Sequence, residues 1–135
     1  MGRIRKQKPK QGSVVKSVEP PNYDHKPPIF SLEKLQPGQY CFSMLDQENK
    51  AMFSDAMFRR RNLTWNEIKR ADRHGLGTEK IAKSAINAPT PKFITEDMES
   101  YLAFRYFGLR PMVGYRQRDI FYVLWFDSNF TLYNH

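Results

Sequence analysis

The sequence contains very little cysteine and no long apolar run. Cys41 is the one cysteine among 135 residues, so it has no partner for an internal disulfide. Such a chain suits a reducing compartment, and Cys41, within an apolar stretch and without a base beside it, is typical of a buried structural thiol. No stretch approaches the roughly 20 apolar residues of a membrane span, and no apolar segment follows the basic N-terminus as in a secretory signal. We therefore expect a cytoplasmic protein with no membrane partner.

Motifs for a metal or a cofactor are also missing. The three histidines stand far apart in the sequence: His25, His74 and His135. Together with a single cysteine they do not form a zinc motif. Gly75-Leu76-Gly77 is not followed by the residues of a dinucleotide- or phosphate-binding loop. The acidic cluster Glu96–Glu99 is more typical of a helix start or a solvated turn than of an acid–base pair. We expect no metal and no cofactor.

Positive charge is in excess and is unevenly distributed. The chain has 22 Lys and Arg against 14 Asp and Glu, a net charge of +8. Residues 1–28 hold seven basic and two acidic side chains, or +5, which leaves +3 for the remainder. A basic segment beside a mildly basic body suits a polyanion such as nucleic acid, although a solubilising tail explains the segment equally well. We predict a flexible basic arm over 1–28 and one α+β domain over 29–135.

Apolar spacing predicts the elements of the first half of that domain. Residues 29–35 suit a short strand or a helical turn, and the alternation of residues 39–44 predicts a strand. Asp46 is a candidate N-cap for a helix through about Arg60. Thr64-Trp65-Asn66-Glu67 has the form of a capping box, which predicts a second helix ending near Arg73. Residues 78–86 have the spacing of a short third helix.

The C-terminal third, residues 101–135, predicts an antiparallel meander. Apolar and aromatic runs alternate there with turn residues. Residues 120–126 are apolar on both faces, which indicates a central strand covered on both sides. A turn at residues 127–129 and a last short strand over 130–133 follow. The predicted fold is α+β, with two or three N-terminal helices packed on a C-terminal antiparallel meander.

Basic and aromatic side chains on this meander are the main candidates for function. Arg105 is the most unusual, because it places a charge between Phe104 and Tyr106 within an aromatic strand. Guanidinium groups hold phosphate, and aromatic faces stack unpaired bases. Edge-strand charges that oppose aggregation, with tyrosines in the core, explain the same pattern. His135 follows a strand closely enough to reach a site, whereas His74 is more typical of a helix C-terminus.

The order strand, helix, helix, meander resembles the RelE/ParE-like superfamily of bacterial toxins over residues 39–135. The resemblance rests on residues 46–60 and 65–73 and on the segment LRPMVGYRQRDIFYVLWFD, whereas residues 73–92 depart from the pattern by inserting RHGLGTEKI. It implies cleavage of mRNA on the ribosome without metal, basic residues that stabilise the phosphate, and a tyrosine or other group that helps to activate the 2′-hydroxyl. It also implies a small acidic antitoxin as partner. Some relatives poison gyrase instead, and some have lost activity.

The candidate site residues form two sets, of which the resemblance implies the first by position. The expected catalytic residues are Lys80, Arg105, Arg116 and Tyr133. The expected RNA-binding residues are Arg110, Tyr115 and Arg118. The hypothesis is that Arg105 and Arg116 offset the charge of the phosphorane while Tyr115 or Tyr133 stacks a base. The alternative is a non-catalytic nucleic-acid-binding or adaptor protein, in which the arm binds phosphate and the sheet binds a partner.

Overall fold

The computed structural model describes residues 22–135, which form a mixed α+β fold, as predicted. Its helices are α1 (Gln47–Arg60) and α2 (Trp65–Arg70). Its strands are β1 (Ile29–Ser31), β2 (Thr78–Ala82), β3 (Ser100–Phe107), β4 (Arg110–Gln117) and β5 (Ile120–Phe126). Residues 1–21 of the predicted arm lie outside the described residues. Within the described residues, neither helix has the length and apolar character needed to cross a membrane.

Both helices begin at caps that the sequence predicts. The Asp46 carboxylate accepts a hydrogen bond from the backbone N–H of Asn49 at 2.8 Å. In the capping box, the Thr64 hydroxyl accepts from the Glu67 amide at 3.2 Å, and the Glu67 carboxylate accepts from the Thr64 amide at 2.9 Å. These bonds satisfy amide groups that a helix start otherwise leaves unpaired. The predicted cap and capping box are therefore confirmed.

The second helix ends at Arg70, three residues before the predicted end. Ala71 is extended, with φ −82° and ψ 158°, so the helical path stops there. Asp72 then organises a turn, because its carboxylate accepts from the His74 amide and its carbonyl accepts from the amides of Gly75 and Gly77. The turn therefore replaces the last helical residues and carries the chain toward β2.

The five strands form one sheet in the order β1-β5-β4-β3-β2. The strands β2 to β5 pair antiparallel with their neighbours in the chain, whereas β1 pairs parallel with β5. The sheet is therefore mixed. The sequence predicted an antiparallel meander, and the structure adds the parallel strand β1 at its edge. Strand β5 lies between β1 and β4, which confirms the prediction of an internal position for residues 120–126.

The two faces of the sheet belong to two separate apolar clusters. On the helix face, Ala56, Trp65 and Ile68 pack with residues of the sheet: Phe104, Tyr106, Met112, Phe121, Val123 and Phe126. The rings of Phe104 and Phe121 meet edge to face at 4.8 Å. On the loop face, Ile94, Leu132 and Tyr133 pack with these residues of the sheet: Tyr101, Ala103, Val113, Leu124 and Trp125. Both faces are thus covered, one by helices and one by irregular segments.

The prediction of a third helix over residues 78–86 is wrong. Residues 78–82 form the edge strand β2, which pairs with β3 from Thr78 opposite Phe104 to Ala82 opposite Ser100. A single 3₁₀ turn, Lys83–Ala85, follows. Pairing with β3 supplies backbone hydrogen bonds along the whole segment, and this tertiary contact outweighs a weak helical spacing.

Two predicted strands are absent among the described residues. Residues 39–44 contain the 3₁₀ turn Phe42–Met44, whose Phe42 ring packs on Phe53 and Phe126. Residues 130–133 form no strand, because the Asp127 carboxylate accepts from the amides of Thr131 and Leu132. Those amides are therefore not free to pair with β5.

A bulge between β4 and β5 also changes which side chains share a face. Val113 lies opposite Trp125, but Gly114 lies opposite Val123, so Leu124 is an extra residue in β5. Leu124 and Trp125 consequently belong to the same cluster on the loop face, contrary to the strict alternation expected from the sequence. Gly114 is required here, because a Cβ atom would collide with the carbonyl of Tyr122.

Candidate functional site

A cleft of about 250 Å³ opens on the loop face beside the end of β3. We call it the Arg105 cleft. Its lining includes six polar side chains: Arg73, His74, Glu79, Arg105, Tyr133 and His135. It contains two of the four predicted catalytic residues, Arg105 and Tyr133. The other two, Lys80 and Arg116, lie elsewhere.

Arg105 and Glu79 form an ion pair at the floor of this cleft. Glu79 lies opposite Ala103 on the neighbouring strand, so its side chain leaves the sheet on the same face as that of Arg105. The Nη2 atom of Arg105 lies 2.6 Å from Oε1 of Glu79, and Nη1 of Arg73 lies 3.6 Å from Oε2. The Arg105 side chain is 7% exposed and that of Glu79 is 26% exposed, so the guanidinium is shielded from water while the carboxylate is partly accessible from the cleft.

Arg105 also retains hydrogen-bonding capacity that the described residues do not use. Its Nε and Nη1 atoms are buried and have no partner among residues 22–135, and the same holds for the Tyr133 hydroxyl. Buried donors without acceptors are costly, and because these atoms are closed off from solvent, an anion oxygen would satisfy them only after a neighbouring side chain moves aside. A guanidinium with unused donors suits the oxygens of a phosphate.

His135 reaches the cleft because Asp127 holds the segment that carries it. The Asp127 carboxylate is fully buried and accepts from the amides of Thr131 and Leu132 at 2.9 and 3.1 Å. Its Oδ2 atom lies 3.2 Å from Nε2 of His135, whose ring stacks on Tyr133 at 4.0 Å. A carboxylate behind an imidazole fixes the orientation of the ring.

Tyr133 remains a neutral phenol at physiological pH. Burial raises the pKa of its hydroxyl above the ordinary value of a tyrosine, and Arg105 opposes this shift without reversing it. The side chain therefore offers a proton donor and an aromatic face to the cleft, and it does not supply a phenolate base.

Arg60 connects the elements that surround the cleft. It is fully buried and donates to the carbonyls of Gly75 at 3.0 Å, Leu76 at 3.2 Å and Arg105 at 3.1 Å. It thereby ties the end of α1 to the turn that bears Arg73 and to β3. Burial lowers the pKa of Arg60 to about 10, so the group stays charged at neutral pH.

Lys80 and Arg116 lie together in a second depression, of about 410 Å³, on the helix face. The guanidinium of Arg116 lies 4.2 Å from the Trp65 ring, and its Nη2 atom lies 2.6 Å from Oδ1 of Asp24. Asp24 also binds Lys69, at 2.6 Å. Arg116 lies opposite Phe121 of the helix-face cluster, whereas Arg105 lies on the other face. A single phosphate cannot contact both, so the hypothesis of two arginines on one phosphorane does not fit this geometry.

The predicted RNA-binding residues are dispersed. Arg110 packs on the Phe107 ring at 4.2 Å and donates to the carbonyl of Ser128 at 3.1 Å. Arg118 is exposed in the turn between β4 and β5, with a φ of 59°. Tyr115 lines a groove at the same end of the sheet, where its ring stacks on Tyr122. Tyr115 lines a concave surface, whereas Arg110 and Arg118 line neither this groove nor the Arg105 cleft.

Sequence reasoning missed Glu79, Arg73 and the Asp127–His135 pair as parts of one site. Glu79 was hidden by the prediction of a helix over residues 78–86, because only a strand places it beside Arg105. Asp127 was interpreted as a turn residue, although its neighbour in space is a histidine eight positions later. A prediction of residues 78–82 as a strand beside β3 would have placed Glu79 on the same face as Arg105.

Among residues 22–135, no group of three or more His, Cys, Asp or Glu side chains is placed to hold a metal ion. Comparison of the chain with protein-family models, with curated proteins and with solved structures finds no match in any of the three. The function must therefore be argued from the side chains themselves.

Proposed function

We propose that the chain is an endoribonuclease whose active site is the Arg105 cleft. The observation that carries this proposal is the placing of a carboxylate, a guanidinium with unused donors and a carboxylate-backed imidazole in one cleft: Glu79, Arg105 and His135. These are the groups that acid–base cleavage of a phosphodiester requires: a base, a charge stabiliser and an acid.

The reaction is attack by a ribose 2′-hydroxyl on the adjacent phosphate. Glu79 takes the 2′-hydroxyl proton as the bond from O2′ to phosphorus forms. The bond from phosphorus to O5′ breaks, and protonated His135 gives its proton to that oxygen. The products are a 2′,3′-cyclic phosphate and a 5′-hydroxyl, so no water or co-reactant is consumed.

Arg105 stabilises the charge that develops on the phosphorane oxygens, and Arg73 at the rim adds a second positive group. In the free protein, Arg105 is paired with Glu79. A phosphate that replaces Glu79 as the partner of Arg105 would free the carboxylate to accept a proton from the 2′-hydroxyl. Substrate binding would thereby prepare the base.

The wider setting of this proposal comes from the resemblance to the RelE/ParE-like toxins. It comprises helices packed on a meander, mRNA on the ribosome as substrate, a small acidic antitoxin as partner and a cytoplasmic location. The contact of α1 and α2 with the helix face supports the first element of this setting. The others are extensions of the proposed chemistry.

The test is to incubate the purified chain with an unstructured RNA and with the same sequence as DNA, with and without ribosomes. We expect RNA to be cut to 2′,3′-cyclic phosphate and 5′-hydroxyl ends, and DNA to stay intact because it lacks the 2′-hydroxyl. The matched variant is Glu79→Gln, which keeps the size of the side chain and removes the base. Intact RNA under all conditions, or equal cutting of DNA, would contradict the proposal.

A non-catalytic nucleic-acid-binding protein is the second candidate. It is favoured by the depression on the helix face, where Lys69, Lys80 and Arg116 place three cations around Trp65. Such a protein would bind RNA with a steep dependence on salt and would leave it uncut. Binding that is lost in Lys80→Ala and kept in Glu79→Gln, without cleavage by either, would favour this function.

A further inference from the structure

A second concave surface lies on the loop face, at the opposite end of β4 from the Arg105 cleft. It has a volume of about 530 Å³, and its walls include the rings of Phe93, Tyr115 and Tyr122. Tyr115 and Tyr122 lie opposite each other on β4 and β5, and their rings stack at 5.1 Å with an angle of 21°. The Phe93 ring lies 6.2 Å from Tyr115. We call this surface the Tyr115 groove.

The rings of this groove are more accessible than the rings of the core. Phe93 is 44% exposed, and both tyrosines are half-buried, whereas Tyr101 and Phe104 in the same sheet are fully buried. The Lys34 ammonium lies 5.2 Å from the centre of the Phe93 ring. Accessible aromatic faces beside a cation form the type of surface on which unpaired bases stack.

Glu33 gives the groove an acceptor that an RNA backbone would not require. Its side chain is exposed, lines the groove and has no ion-pair partner among residues 22–135. Glu33 and Tyr115 line the same groove, and the charge of Glu33 helps to raise the pKa of the Tyr115 hydroxyl, after burial and the neighbouring Tyr122. A carboxylate accepts two parallel hydrogen bonds, and it repels phosphate. Lys34 and Arg116 also line the groove, so Glu33 is the one acidic group among the described residues of its lining and offers its oxygens to a base edge rich in donors.

Among the four RNA bases, guanine offers two adjacent donors on one edge, N1–H and the N2 amino group. These match the two oxygens of a carboxylate while the ring stacks on a tyrosine. Tyr115 lies four residues along β4 from Pro111, the partner of Arg105, which corresponds to about 13 Å. We infer that the Tyr115 groove binds an unpaired guanine of the RNA substrate, a few nucleotides from the cleaved bond. This inference rests on the proposed function.

The experiment compares guanosine and inosine 5′-monophosphates, which differ only in the N2 amino group, as ligands of the full chain. Titrations followed by NMR should move the signals of the groove residues and give guanosine monophosphate an affinity higher by about fivefold or more. Glu33→Gln should abolish this difference. Phe93→Ala should weaken both nucleotides about tenfold, since stacking on one ring contributes on this scale.

The matched control is Phe58→Ala, which removes an exposed ring from α1 and should leave both affinities unchanged. Glu33 and Phe93 are exposed, and thermal unfolding checks that their variants remain folded. Equal affinity for the two nucleotides, or signals that move elsewhere, would overturn the inference even if RNA is cleaved. Guanosine-selective binding without cleavage would support the groove and contradict the proposed reaction instead.

Discussion

Three arginines of this protein have three different surroundings, and these decide what each can do. Arg60 is surrounded by backbone carbonyls, Arg116 is held by Asp24 and Trp65, and Arg105 is paired with Glu79 and keeps unused donors. The partner of each comes from a different part of the chain. Sequence alone therefore identified Arg105 as unusual but could not distinguish its role from that of Arg116.

Replacing Arg60 by methionine should destabilise the fold by about 2–3 kcal/mol. The change keeps the volume but leaves the buried carbonyl of Arg105, and the partly buried carbonyls of Leu76 and Gly75, without this donor, and a buried group of this kind costs about 1–3 kcal/mol. The measurement is urea unfolding followed by circular dichroism.

The control for Arg60 is Arg59→Met, which removes an exposed ion pair with Asp55 and should cost less than about 1 kcal/mol. Equal losses in the two variants would show that the buried bonds of Arg60 contribute nothing specific. The comparison is matched, because both residues lie in the last turn of α1 and carry the same charge.

At the scale of elements, the sequence predicted those features that depend on neighbouring residues. The caps at Asp46 and Thr64 use partners three positions away, and the strands on either side of the turn of Arg118 pair with each other. The strand β2 and the segment after β5 were missed, because each is determined by a distant partner. β2 is stabilised by its pairing with β3. The Asp127 carboxylate binds the amides of Thr131 and Leu132, which a last strand would need for pairing.

Thr64→Ala should cost about 1 kcal/mol of unfolding free energy, the usual effect of losing an N-cap side chain. The hydroxyl accepts from the Glu67 amide, and the Glu67 carboxylate returns a bond to Thr64. Because the two bonds belong to one motif, the double variant with Glu67→Ala should lose less than the sum of the single losses. Strict additivity in chemical denaturation would contradict a reciprocal capping box.

Asp24→Asn should destabilise the protein at neutral pH and have no effect in acid. Hydrogen bonds from Lys69, then from Arg116, lower the pKa of the Asp24 carboxyl below its ordinary value of 3.8. A lowered pKa means stability that is present above about pH 4 and is lost as pH falls through the folded pKa. The measurement is thermal unfolding of Asp24→Asn and of the unsubstituted chain at pH 7 and below pH 3. At pH 7 the variant should lose about 1 kcal/mol or less of unfolding free energy. A gap that persists in acid would contradict the assignment.

At the scale of the whole molecule, the sheet separates a packed helix face from a loop face that carries both concave surfaces of the proposal. Arg105, Glu79 and Tyr133 line one of them, and Tyr115 and Tyr122 line the other. The α+β class and the central strand were predictable, since local caps, apolar spacing and the apolar run of residues 120–126 determine them. The site was not, because its residues come from a turn, two strands and the segment after β5.

Residues 1–21 should contribute to RNA affinity mainly through charge. They hold six basic and one acidic side chain, a net charge of +5. Deleting them should reduce the slope of log affinity against log salt by no more than about 4, since each neutralised phosphate of a single strand contributes about 0.7. Affinity measured by fluorescence anisotropy across a salt series tests this. An unchanged slope would contradict a charge role for these residues, and cleavage at low salt should persist.

The central claim is that the chemistry belongs to the Arg105 cleft on the loop face. The most direct measurement is the single-turnover rate of RNA cleavage at saturating protein for Arg105→Ala and Arg116→Ala, each first shown to be folded. We predict a loss of about 100-fold or more for Arg105→Ala, since it removes a group that stabilises the phosphorane. For Arg116→Ala we predict a rate within about threefold of the unsubstituted chain, because its guanidinium is held by Asp24 outside the Arg105 cleft and saturating protein offsets any loss of RNA binding. Equal losses in both, or a larger loss for Arg116→Ala, would contradict the claim.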